Sequence, residues 1–159
     1  ILCYILTYTA TPYPYATKLI KHIQKHLNKK VVILDETGRY WLDFKYKSFR
    51  SYGPREIINL FKNASFIISS SFHGAAFSVN FQKDFYSLFP KGVKDERQES
   101  LLKLIGAENR FIHVDDPLPS PSTFEIQNWK QISEKLNAYR EHSIKYLTSA
   151  LENATKPAK

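Results

Sequence analysis

The chain has 159 residues, of which 43% are hydrophobic and 14% aromatic, and this composition suits one globular domain with a sizeable core. A single cysteine, Cys3, excludes an intrachain disulfide and is predicted to fill the core, while no apolar run approaches the ~18–20 residues that span a bilayer. The net charge of +8 makes anionic partners plausible without choosing among them, and no nucleic-acid-binding signature accompanies it.

The predicted elements alternate between apolar strands and amphipathic helices. In chain order they are a strand at 1–6, a helix at 15–27, a strand at 31–34, a helix at 53–64, a strand at 66–68, a short helix at 74–81, a strand at 85–89, a helix at 97–105, a strand at 111–114 and a last helix at 126–151. Residues 39–52 are interpreted as a loop that could hold a short strand, and residues 115–122 as a linker.

This alternation indicates a doubly wound α/β fold with a mostly parallel, Rossmann-like sheet. We assign residues 1–125 to that domain and residues 126–152 to a closing helix packed on the same domain. Residues 153–159 are expected to form a frayed tail.

The turns after the strands are candidate sites, because ligands of such sheets bind beyond the carboxyl ends of the strands. The sequence IISSSFHGAAF, residues 67–77, places one of these turns before a helix. Gly74, Ala75 and Ala76 would let a ligand come close to the helix start, whose backbone N–H groups favour phosphate or carboxylate. His73 could donate to that anion or transfer a proton. The alternative is that Ser71 only caps the helix and His73 packs under a loop.

A second candidate is the basic loop PKGVKDER, residues 90–97, which leads into the next helix. Arg97 could make a forked contact with phosphate or carboxylate; alternatively the loop is solvated and its charges cancel. His22 and His26 are four residues apart on a helix, but without a third ligand they do not predict a metal site. The glycine-rich motifs of dinucleotide and P-loop sites are absent from the sequence.

One long run resembles a known family. The sequence GPREIINLFKNASFIISSSFHGAAFSVNFQKDFYSLF, residues 53–89, is similar to the core of the polysaccharide pyruvyl transferases. Shared features are a helix that opens with proline and glutamate and closes on lysine, asparagine and alanine, a strand, and serine-x-histidine-glycine before a phenylalanine-serine helix. Arg97, followed by serine-leucine-leucine and a turn at 105–106, matches a later family pattern with one conservative change. The resemblance extends more loosely to the last helix, with Trp129, Ser143 and Leu147, and so covers about residues 50–151.

The resemblance implies the carboxyl-terminal, donor-binding half of a two-domain transferase of the GT-B type. Such an enzyme transfers the pyruvyl group of phosphoenolpyruvate to sugar hydroxyls and forms a ketal on a polysaccharide of the bacterial cell envelope, without a cofactor. His73 would serve as the acid/base or contact the donor phosphate, Arg97 would hold an anionic group of the donor, and Ser71 and Gly74 would shape the helix start. The acceptor would be a saccharide or a lipid-linked saccharide, bound with an N-terminal domain that is missing here, so we expect the fragment alone to be inactive.

Two other functions stay open from the sequence. The chain could be half of a glycosyltransferase whose nucleotide-sugar diphosphate uses the same helix start. It could also be a non-catalytic, partner-binding domain in glycan assembly, with its final helix and basic face as the contact surface. We expect a soluble protein of the reducing cytoplasm, with peripheral contact at the inner face of the membrane left open, and no nucleic-acid partner.

Overall fold

A computed structural model describes residues 1–6, 13–35, 45–48, 52–90 and 96–154. The strands are β1 (Leu2–Ile5), β2 (Val32–Asp35), β3 (Lys45–Ser48), β4 (Ile67–Ser69), β5 (Phe85–Phe89) and β6 (Phe111–His113). The α-helices are α1 (Tyr13–Leu27), α2 (Pro54–Asn63), α3 (Phe72–Asn80), α4 (Glu96–Ile105) and α5 (Trp129–Ala154). Short 3-10 helices lie at Glu108–Arg110 and Pro121–Thr123.

The strands form one six-stranded sheet in the order β3-β2-β1-β4-β5-β6, and all neighbouring pairs are parallel. The chain moves outward from β1 to β3 and then returns to place β4 on the other side of β1. This reversal creates a switch point between the carboxyl ends of β1 and β4, the usual place for a ligand in a Rossmann-type sheet. The predicted doubly wound, parallel α/β fold is confirmed.

Successive strand residues point to opposite faces of the sheet and fill two apolar cores. On the first face, which we call the α1 face, α1 packs on alternate residues of the strands. The core there includes Cys3, Ile5, Leu19, Ile20, Ile23, Ile33, Ile68, Tyr86 and Leu88. On the other, the α3 face, α2, α3, α4 and the start of α5 pack together. That core includes Leu2, Leu34, Phe61, Ile67, Ala75, Val79, Phe85, Leu102, Ile105 and Ile132. Helices on both faces make the sheet doubly wound.

Two helices begin two residues earlier than the sequence pattern predicted. Helix α1 begins at Tyr13 rather than at residue 15. Proline is tolerated at the second helical position because the N–H groups of the first turn have no acceptor inside the helix, so the N–H that proline lacks costs no hydrogen bond. Helix α3 begins at Phe72 rather than at Gly74. His73 therefore lies in the first turn of α3 and not in the loop before it.

Helix α5 differs from the predicted closing helix. It begins at Trp129, and only its first turns pack on α4, through Trp129, Ile132 and Leu136. From Asn137 onward every described residue of the helix is exposed, including Tyr146 at 73% and Ile144 at 64%. The helix was predicted to pack on the domain, but in the described part of the chain this half contacts α3 through a side-chain hydrogen bond, from Arg140 to Asn80 (2.6 Å), and buries no residue.

Cys3 is completely buried in the α1-face core. Burial raises the pKa of its thiol to about 12, so the thiolate is not populated near neutral pH. This environment agrees with the predicted role as core filler. Among the described residues, no helix combines the length and the apolar character needed to cross a membrane.

Candidate functional site

The turn after β4 is tied to the end of β1 by two serine hydroxyls. Ser70 Oγ accepts a hydrogen bond from the Leu6 N–H (2.8 Å) and can donate to the Leu6 carbonyl (3.1 Å). Ser69 Oγ donates to the Tyr4 carbonyl (3.1 Å), which also accepts from the Ser70 N–H (3.1 Å). These bonds hold the two strand ends together at the switch point, so Ser69 and Ser70 build the floor of the site.

Ser71 occupies the N-cap position of α3, as the structural alternative proposed, but its side chain makes no capping hydrogen bond. Its backbone N–H instead donates to Ser69 Oγ (3.0 Å). The residue is only 4% exposed, which leaves little surface for contact with a ligand. In this geometry Ser71 shapes the turn that leads into α3.

Gly74 allows α3 to approach β4 closely. A Cβ atom at this position would lie 1.9 Å from Ser69 Oγ and 2.6 Å from Ser69 Cβ, with Tyr4 Cδ1 at 3.0 Å. The space that a side chain would need is therefore filled by the floor of the site. The Gly74 carbonyl also accepts a hydrogen bond from Ser78 Oγ (2.7 Å). Gly74 serves the packing of helix on strand, and this packing places the first turn of α3 at the switch point.

The Phe72 ring contacts both His73 and Arg97. The rings of Phe72 and His73 meet edge to face with centroids 5.8 Å apart, and the Arg97 guanidinium carbon lies 5.8 Å from the Phe72 ring centroid. Both His73 and Arg97 are exposed. Within the described residues the His73 ring has no hydrogen bond to protein atoms. The two side chains selected from the sequence thus flank one aromatic ring at the carboxyl edge of the sheet.

Backbone N–H groups at the start of α3 add further hydrogen-bond donors to the site. The first N–H groups of an α-helix have no acceptor inside the helix, and the helix dipole places partial positive charge at that end. At α3 these groups belong to Phe72, His73 and Gly74. Together with the Arg97 guanidinium and the His73 imidazole they offer several donors to an anion, and His73 can also carry a proton.

Gln98 was missed by the sequence interpretation. It is 1% exposed, its Oε1 accepts a hydrogen bond from Ser87 Oγ, and its Nε2 donates to the Ser70 carbonyl (3.4 Å). A signal existed in the sequence, because Gln98 precedes the buried Leu102 by four residues and Ile105 by seven. That spacing marks the buried stripe of α4.

The described residues do not form a metal site: nowhere among them do three His, Cys, Asp or Glu side chains group as metal ligands would. His22 Nε2 instead lies 2.9 Å from the Pro119 carbonyl, and His26 Nδ1 lies 2.9 Å from the His22 carbonyl. Both rings also contact Phe124 edge to face. The two histidines pack and hydrogen-bond on the α1 face.

Parts of three candidate turns fall outside the described residues. They are residues 7–12, after β1, residues 36–38, after β2, and residues 91–95, which form most of the predicted basic loop before Arg97. The described wall of the site is therefore the β4–α3 turn together with the start of α4.

Comparison with known proteins gives a family. The profile of the polysaccharide pyruvyl transferase family matches residues 3–88, which is more than half of the chain. The match includes β1 and α1, which the resemblance noted above did not, and it ends before Arg97. Searches for similar curated proteins and for similar solved structures found no match.

Proposed function

The chain belongs to the polysaccharide pyruvyl transferase family, and on that premise we propose that it binds phosphoenolpyruvate and transfers its pyruvyl group to sugar hydroxyls. The observation that carries the proposal is the placement of His73 and Arg97 around Phe72 at the first turn of α3. A donor with a phosphate and a carboxylate needs at least two cationic or N–H-rich contacts. The helix start and the Arg97 guanidinium supply them.

The chemistry requires one acid and at least one base. A proton adds to the methylene carbon of the donor, and a first sugar hydroxyl attacks the neighbouring carbon while it loses its proton. The carbon–oxygen bond to phosphate then breaks, phosphate leaves with the bonding electrons, and a second hydroxyl adds and loses its proton to close the ketal. We assign the proton transfer or the phosphate contact to His73 and the binding of an anionic group of the donor to Arg97.

The same proposal extends to the type of domain, the acceptor and the location of the enzyme. We propose that the fold is the donor-binding half of a GT-B transferase and that an N-terminal domain of the same protein binds the acceptor, a saccharide or a lipid-linked saccharide of the cell envelope. We further propose a cytoplasmic location and no cofactor. The net charge of +8 is compatible with anionic donors and with an anionic membrane face.

The test removes the imidazole in the full-length enzyme. We expect His73→Ala to lower pyruvyl transfer by about 10²–10⁴-fold, the range for the loss of a general acid or base. His142→Ala is the matched control, because His142 is an exposed histidine on α5, away from the α3 turn. It should leave the transfer rate unchanged.

Calorimetry with the full-length enzyme separates the competing functions. Phosphoenolpyruvate binding that is weakened by Arg97→Ala supports the proposal. Binding of a nucleotide sugar instead of phosphoenolpyruvate would indicate a glycosyltransferase half, and binding of neither would indicate a partner-binding domain. Full transfer activity in His73→Ala would exclude the catalytic assignment even if the donor binds.

A further inference from the structure

We propose that Gln98 is a positioning residue that sets the arrangement of Arg97 relative to His73. The inference rests on the proposed function for its kinetic consequence, but the contacts that carry it belong to the structure alone. Gln98 touches neither of the two exposed side chains through a hydrogen bond. It acts through the backbone and the strand that support them.

Gln98 joins three elements. It lies in the first turn of α4, directly after Arg97, and its Oε1 accepts from Ser87 Oγ on β5. Its Nε2 donates to the Ser70 carbonyl, in the turn three residues before His73 (3.4 Å). One side chain therefore connects the helix that carries Arg97 to the turn that leads into α3, the helix that carries His73.

Burial gives these hydrogen bonds their effect. Gln98 is 1% exposed and Ser87 is fully buried, so water cannot readily replace either partner. A buried amide that loses its acceptor or donor carries the desolvation cost of the unpaired group, which restricts Gln98 to the rotamer that satisfies both partners. That rotamer fixes the distance between the start of α4 and the end of β4.

Phe72 shows why this distance matters for the site. The Arg97 guanidinium lies over the Phe72 ring, and that ring contacts His73. A shift of α4 away from β4 would move the guanidinium off the ring and away from the helix start of α3. Displacements of about 1 Å in a reacting group can cost about 10²-fold in rate.

The experiment compares variants of Gln98 and of its partner Ser87 with a control at Tyr86, the neighbour of Ser87 on β5. Gln98→Leu removes both hydrogen bonds with a similar side-chain volume, and Ser87→Ala removes one of them with a smaller change to the core. Tyr86→Phe is the matched control: Tyr86 is buried beside Ser87 on the opposite face, and it also loses hydrogen bonds, those of its hydroxyl with Thr123. All three variants are expected to lower stability.

Only the Gln98 and Ser87 variants should change the site. In the full-length enzyme we expect the KM for phosphoenolpyruvate to rise about tenfold in Gln98→Leu, less in Ser87→Ala, and not at all in Tyr86→Phe. NMR order parameters of the backbone of Phe72, His73 and Arg97 should fall from about 0.85 toward 0.6 in Gln98→Leu and stay high in Tyr86→Phe.

The two readouts separate the two hypotheses. If the wild type does not use phosphoenolpyruvate, the proposed function fails, and the order parameters still decide the role of Gln98. If Gln98→Leu and Tyr86→Phe lose similar stability while KM and the order parameters match the wild type, Gln98 is an ordinary core residue and the inference is wrong. Should Gln98→Leu not fold, the same two readouts in Ser87→Ala decide.

Discussion

Strand β5 shows how the two faces of the sheet use buried polar groups differently. Tyr86 and Ser87 are adjacent, both are buried, and both make side-chain hydrogen bonds, but they point to opposite faces. On the α3 face, Ser87 belongs to a set of bonds that ends beneath the candidate site. On the α1 face, Tyr86 belongs to a set of hydrogen bonds that holds the segment after β6, at Thr123, against the sheet.

The α1-face network is centred on Arg110. Its guanidinium lies over the Tyr86 ring (5.3 Å to the centroid) and donates to the carbonyls of Thr123 (2.7 Å), Phe124 (3.2 Å) and Glu125 (3.3 Å). Burial lowers the pKa of Arg110 from its usual value, although a guanidinium remains charged at neutral pH. The comparison suggests that polar groups on the α1 face serve stability and those on the α3 face serve geometry.

The largest effect is expected from Gly74→Ala on the α3 face. The new methyl group would overlap Ser69 Oγ and Cβ, so α3 must move off β4, at a cost of about 3 kcal/mol in the free energy of unfolding. Donor binding should be lost with it, because the first turn of α3 moves. Urea unfolding and calorimetry with phosphoenolpyruvate measure the two effects. Adding Ser69→Gly should recover part of the lost stability, and wild-type stability in Gly74→Ala alone would show that the contact is not tight.

A smaller effect, a loss of stability without a loss of donor binding, is expected from Arg110→Leu on the α1 face. Three carbonyls lose the guanidinium; that of Thr123 keeps the Tyr86 hydroxyl as a donor, and those of Phe124 and Glu125 lose the donor described for them. We expect unfolding to become easier by about 2 kcal/mol. Phosphoenolpyruvate binding by the folded variant should match that of the wild type. Weakened binding in this variant would contradict the conclusion that polar groups on the α1 face serve stability and not the geometry of the site.

The smallest effect is expected from Tyr15→Phe, also on the α1 face. The Tyr15 hydroxyl is buried without a hydrogen-bond partner among the described residues. At neutral pH its removal should therefore leave stability unchanged or slightly higher.

The same variant should change the response to alkaline pH. Burial, with Asp116 and Asp115 nearby, raises the pKa of Tyr15 to about 12 from its usual value near 10. Between about pH 10 and 12 the unfolded chain has released this proton and the folded chain has not, so stability falls as pH rises. Tyr15→Phe should lose less stability than the wild type across this window in urea titrations. Identical curves would mean that the hydroxyl ionises equally in both states.

The sequence was sufficient for the architecture, and it selected the turn after β4 as a candidate site. Apolar strand runs alternating with amphipathic helices leave few arrangements besides a covered parallel sheet. The run IISSSFHGAAF then places His73 after a strand, and the observed strand order puts that strand at the switch point. Arg97 was also selected from sequence, and the structure places it against Phe72.

The supporting contacts were not predictable, for physical reasons. The spacing before Leu102 and Ile105 places Gln98 on the buried stripe of α4, but its hydrogen-bond partners lie on β5 and in the β4–α3 turn and could not be identified from that spacing. Gly74 was read as a helix-start residue, whereas the demand for glycine comes from Ser69, whose position depends on how α3 packs. Helix α5 was predicted to pack on the domain because spacing reveals an apolar stripe and not whether another element covers it.

The exposed half of α5 has a consequence for how the molecule opens. An isolated helix of this length is marginal in water, and most helical stability comes from packing of an apolar face. The free energy that opens the turns beyond Leu136 should therefore lie far below the free energy that unfolds the sheet. Amide protons at Ile132–Leu136, the first of α5 with an acceptor inside the helix, would exchange slowly with solvent and those after Leu136 quickly, so one continuous helix would contain two populations of very different lifetime.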